Sequence, residues 1–107
     1  MANKVGEVIL QLRFAHEYYH YEVYYLKDAT KGMEGWEGHD SYWVVFTYMK
    51  EQKQINHDVK PMTLGQMHAH ILNTLKEDKY NHYSVIKNNL PHEVWDIAKR
   101  EHMMLNL

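Results

Sequence analysis

The chain has no cysteine, which excludes disulfide staples and thiolate metal ligands together and points to a reducing compartment, the cytoplasm. It has no long apolar run. The longest covers residues 42–46, far short of the roughly 20 residues that a membrane helix needs. The first residues, Met-Ala-Asn-Lys-Val-Gly-Glu, lack the charged-then-apolar pattern of a secretory signal. Basic charge is also scarce: 12 Lys and Arg stand against 14 Asp and Glu, for a net charge of −2. A nucleic-acid binder shows a basic face and a DNA mimic a strongly acidic one. Neither balance is present, so nucleic acid is not the expected partner.

No complete catalytic signature stands out either. There is no Gly-x-Ser-x-Gly, and His16-Glu17-Tyr18-Tyr19-His20, although it has the His-Glu-x-x-His spacing, makes a zinc site only where one helix brings both imidazoles to the same face. Ser41 and Ser84 have histidines close in sequence, but proximity in sequence makes no triad. His39-Asp40 matches a metal-phosphohydrolase dyad without the further ligands or the length that such a fold requires. Gly32, Gly35 and Gly38 interleave with Glu34 and Glu37, which would repel phosphate, and no Gly-Lys-Ser/Thr follows. The expectation is a protein that is not an enzyme.

What is present is a single-domain length, 107 residues, with 45% hydrophobic and 24% charged residues. Tyrosine and histidine, nine of each, are the compositional outliers. Residues 14–26 hold five of the tyrosines and two of the histidines. Wound at about 100° per residue, Val5, Val8, Ile9, Leu12, Ala15, Tyr19, Val23 and Leu26 share an arc. Leu10, Phe14, Tyr18, Tyr21 and Tyr25 form a second arc roughly opposite. This pattern predicts a long first helix, from about residue 2 to about residue 28, with two apolar faces. Such a helix is either covered on both sides within the domain or meets another chain.

Residues 31–39 read as a glycine-rich loop, in which Met33 and Trp36 either pin the loop to the core or dock on a partner. Residues 42–55 begin apolar and end in good helix formers. The front half reads as a buried helix or a strand, and residues 50–54 tip the balance to helix. Thr63-Leu-Gly-Gln66 is a capping box opening a third helix that runs to about residue 76. A short fourth helix would carry Tyr80, Tyr83, Ile86 and Leu90, and Pro91 suits the first turn of a last one. Residues 63–86 do not make a DNA-reading helix pair, because the candidate recognition segment has two lysines and no arginine.

The expected fold is therefore an all-α bundle of four to five helices, a single helical domain over residues 1–107, around the long N-terminal helix. The fallback is an α+β fold with a hairpin of residues 21–26 and 42–49. The expected function is that of a small adaptor or inhibitor, of the kind often encoded by phages or mobile elements. It would bind another protein, or a second copy of itself, through Phe14, Tyr18, Tyr21, Tyr25, Met33 and Trp36, with no cofactor. Tyrosine and tryptophan suit contact surfaces because each buries a ring while its polar tip finds a partner. The alternative is a zinc or iron site between helices, with His16, His20, His68, Glu101 and His102 as ligands. Glu17 and His20 have the Glu-x-x-His spacing of carboxylate-bridged metal bundles, but only one such pair can be placed. Against it stands the plainer reading, one or two buried, hydrogen-bonded histidines and several solvated ones.

Overall fold

The computed structural model describes residues 3–12, 16–28, 31–32, 34, 41–50, 53–54, 61–76 and 83–105. They form five strands and two helices: β1 (Asn3–Leu12), β2 (Glu17–Tyr25), β3 (Tyr42–Lys50), β4 (Lys53–Gln54), α1 (Leu64–Lys76), β5 (Tyr83–Asn88) and α2 (His92–Leu105). The strands make one sheet in the order β4-β3-β2-β1-β5, and every neighbouring pair is antiparallel. The all-α bundle is thereby overturned. The segment expected to be one long helix is the β1–β2 hairpin. The expected second helix is β3, and the short helix expected around residues 80–90 is β5.

The physical reason lies in β2. Its sequence, Glu-Tyr-Tyr-His-Tyr-Glu-Val-Tyr-Tyr, is almost all aromatic and β-branched side chains, which fit a pleated surface and lose rotamer freedom in a helix. The two opposed apolar arcs of the supposed helix dissolve in the hairpin: Val8, Tyr19 and Val23 of the first share one face with Leu10, Tyr21 and Tyr25 of the second, and Ile9 and Tyr18 share the other. The turn into β2 is made at His16, whose φ is 50°, in the left-handed region that histidine enters more readily than most residues. Residues 21–25 pair with 42–46, from Tyr21 opposite Phe46 to Tyr25 opposite Tyr42, but inside a sheet that also takes in β1.

Directly opposed residues in antiparallel strands share a face, so the register sorts the side chains. One face carries Val8 with Tyr21 and Phe46, Leu10 with Tyr19 and Tyr48, and Gly6 with Val23 and Val44. Here Val8, Leu10, Tyr21, Val23 and Val44 pack with Leu64, Met67 and Ile71 of α1 and Val94 and Ala98 of α2. Both helices thus cover the same face of the sheet.

The helix signals in the sequence act as the residues dictate. The Thr63 amide donates to Gln66 Oε1 at 2.9 Å, and the Gln66 amide donates to Thr63 Oγ1 at 3.1 Å. That reciprocal pair satisfies two otherwise orphaned donors at the start of α1. Pro91 accepts from the amides of Val94 and Trp95 at 3.0 and 3.3 Å, opening α2. Gly65 lets the two helices meet: a Cβ there would lie 2.7 Å from Glu101 Cβ and 2.9 Å from the His102 amide nitrogen. No described helix is long and apolar enough to cross a membrane.

Candidate functional site

The face of the sheet away from the helices is the candidate site. Its cross-strand rows are Lys4–Tyr24–Trp43, Glu7–Glu22–Val45, Ile9–His20–Thr47 and Gln11–Tyr18–Met49. Strict alternation would not put two of its lysines here. The register of β1 against β2 shifts between Lys4 and Gly6, a bulge that inverts parity and turns Lys4 to the side of Glu7. A second shift, between Ile9 and Leu10 against β5, brings Lys87 opposite Ile9. Both bulges deliver an ammonium group to the same carboxylate.

That carboxylate is Glu7, only 8% exposed. Its Oε2 lies 2.8 Å from Lys4 Nζ and 2.7 Å from His20 Nε2, and its Oε1 lies 2.5 Å from Lys87 Nζ. Lys4 also reaches Glu22 Oε2 at 3.2 Å, and Tyr24 donates its hydroxyl proton to the same oxygen at 3.1 Å. Hydrogen bonds from Lys4, Lys87 and His20 hold the Glu7 carboxyl down at about 2. The same contact with Glu7 holds Lys4 in its charged form, above its ordinary value. Burial, and then the neighbouring Glu22 carboxylate, push the Tyr24 hydroxyl up. A glutamate held ionised and paired in this way is a poor general base.

One ligand atom each from Glu7, His20 and Glu22 lie within 4.8 Å of one another, a spacing that could hold a metal ion. The Lys4 ammonium already bridges Glu7 and Glu22, however, and Lys87 takes the second oxygen of Glu7. Two carboxylates and two lysines balance without a further cation.

Around this network the face is aromatic and apolar. Tyr24 and Trp43 stack with ring centroids 5.8 Å apart and planes 18° apart. Tyr18 accepts from Gln11 Nε2 at 3.3 Å. Tyr18, Tyr24, Trp43, Ile9, Val45 and Met49 are all partly exposed.

The residues expected from sequence to form one contact surface are divided by the strand. Tyr18 lies on this open face. Tyr21 is completely buried on the other, its hydroxyl against His70 Nδ1; burial keeps the imidazole neutral and the phenol protonated, so the hydroxyl donates. Tyr25 shares Tyr21's face, with its ring 4.9 Å from that of Tyr42. Phe14, Met33 and Trp36 lie outside the described residues. The helical arc gathering Tyr18, Tyr21 and Tyr25 does not exist.

The proposed ligand set is divided too. His16 sits at the turn into β2 and His20 on the open face. Four residues of extended chain separate them by about 13 Å, so they cannot chelate one ion as a helical pair would. Glu101 caps α1, accepting from the Gly65 amide at 3.0 Å. Only His68 and His102 meet, with Nδ1 atoms 2.6 Å apart, on the helix side of the sheet. The sequence reading passed over Lys4, Glu7, Tyr24, Trp43 and Lys87. Period-two alternation in residues 17–25 is the signal that would have exposed the face they build, although the two bulges hide the lysines even from that pattern.

No family model matches the chain, and no curated protein or solved structure is found to resemble it.

Proposed function

We propose that this chain is a non-enzymatic binding protein, an adaptor or inhibitor, that engages another protein through the open face of its sheet. One observation carries the reading: both helices lie on one face, while Tyr18, Tyr24 and Trp43 stand partly exposed with Ile9, Val45 and Met49 on the other. Rigid aromatic groups over a charge-neutral centre make a surface that loses little side-chain entropy on contact. The internally paired network of Lys4, Glu7, Glu22 and Lys87 lowers the desolvation cost of covering it, because each charge already has its partner. A second copy of the chain is one such partner.

The test is the double substitution Tyr18→Ser with Trp43→Ser, followed by sedimentation velocity of the chain alone and quantitative capture from its native cells. The expected result is loss of self-association or of specific partners, with an unchanged circular-dichroism spectrum and a melting temperature within a few degrees of wild type. Unaltered association, or global unfolding of the variant, would overturn the reading. Tyr25→Ser, on the covered face, is the matched comparison: it should cost stability and leave the bound partners the same.

A further inference from the structure

The imidazoles of His68 and His102 play no part in the surface described above. We propose that they are the two protein ligands of a divalent transition-metal site, for zinc or copper, that clamps α1 to α2.

Geometry carries the proposal. The two rings come from different helices, 34 residues apart in sequence, and bring the same atom, Nδ1, face to face 2.6 Å apart. Their planes are inclined by 62° with centroids 4.9 Å apart. Two nitrogens bound at about 2.0–2.1 Å in a tetrahedral shell stand about 3.3 Å from each other. The proposal therefore requires the pair to open by about 0.7 Å, and both rings are half-buried at the helix seam, within reach of solvent.

The backbone beneath them is set independently. Gly65, one turn before His68, touches α2 at Glu101 and His102. The Gly65 amide donates to Glu101 Oε2, and the edge of Trp95 meets the His68 ring at 6.2 Å. The site is thus organised before any ion arrives, which reduces the ordering cost of binding.

The proton balance is simple. In the metal-free pair one Nδ1 carries a proton that the other accepts. Binding needs both Nδ1 lone pairs, so that proton moves to the Nε2 of its own ring. A neutral pair then releases no proton, and a pair holding one extra releases one. Imidazole favours copper and zinc among the divalent first-row ions. Two protein ligands leave the rest of the shell to water, so modest affinity is expected. The trio of Glu7, His20 and Glu22 is the weaker candidate, because Lys4 and Lys87 already neutralise it.

The experiment uses the untagged full chain, titrated with Zn²⁺ by calorimetry and in thermal unfolding. An ion that binds only the folded state multiplies the folding constant by 1 + [Zn²⁺]/Kd, about 100-fold at 100 times Kd. Expected results are one ion per chain and a higher Tm. Both should be lost in His68→Asn and in His102→Asn and kept in His92→Asn, whose side chain is 88% exposed. Because either histidine variant could fold poorly, long-range ¹H–¹⁵N spectra of the wild type supply an independent readout. Zinc should shift the Nδ1 resonances of two histidines only, those of His68 and His102, with Nε2 protonated. No binding by the wild type, binding that survives both substitutions, or shifts at other histidines would each overturn the site.

Discussion

The two faces of the sheet solve the same packing problem by different means. On the covered face a side chain is held by shape: Leu10, Tyr21, Val23, Val44 and Met67 are completely buried, and the Tyr21 hydroxyl is paired with His70. On the open face the centre is held by charge, with Glu7 gripped by Lys4, His20 and Lys87 and a rim of partly exposed rings. Shape complementarity tolerates no vacancy, whereas a solvated ion network tolerates exchange of partners. Under the function proposed above, that contrast is what would let the second face take on a partner without rebuilding the fold.

Neighbours in sequence give the sharpest test. Leu10 and Ile9 are adjacent in β1 and point to opposite faces. Leu10→Ala removes a fully buried side chain and should cost about 3 kcal/mol. Ile9→Ala removes a partly exposed one and should cost about 1 kcal/mol. Urea unfolding at constant m-value checks both. Equal losses would mean that the open face is itself packed under other parts of the chain, and would break the comparison.

A smaller effect is expected where the covered layer closes on itself. Gly65→Ala would gain about 1 kcal/mol from helix propensity alone. The added Cβ would press on the Glu101 Cβ and carbonyl carbon at 2.7 and 2.8 Å, and part of that contact is backbone that cannot rotate away. Overpacking of this kind costs about 1–3 kcal/mol, so the net change should be destabilising, by up to about 2 kcal/mol, in the same measurement. A stabilised variant would show that the helices have room to separate, and that shape does not fix their crossing.

The difference between the faces also explains what the sequence disclosed. The capping box at Thr63 and Gln66 and the proline before α2 are local signals, and both helices follow them. Leu72 and Leu75 keep helical spacing yet are 45% and 36% exposed, so even there the pattern located a face without saying how much of it is covered. The hairpin was hidden because Val5, Val8, Ile9 and Leu12 satisfy a helical period by coincidence. In a strand with apolar residues on both faces, period two and period 3.6 overlap. The second apolar arc was the sign of trouble, since a small monomeric bundle has no use for it. Lys4 and Lys87 were beyond reach, because a bulge is a property of the pairing between strands rather than of either strand alone.

The smallest effect concerns the charge-held face. Glu7 in the folded chain titrates at about 2, against an ordinary value of 4.5. A folded-state value below the unfolded one means that the unfolded chain takes up the proton first as pH falls. The stabilisation is therefore whole above about 4.5 and drains away between there and about 2. Lys4 and Lys87 are 40% and 48% exposed, so water and salt screen the network, and its worth is about 1 kcal/mol rather than the full value of the shift. Wild type should lose about 1 kcal/mol more than Glu7→Gln between pH 5 and pH 2.5 in urea unfolding, and 1 M salt should shrink that difference because screening reaches within about 3 Å. Parallel pH profiles would show that the carboxylate is held by shape like the residues beneath the helices, and the distinction between the two faces would then be one of exposure only.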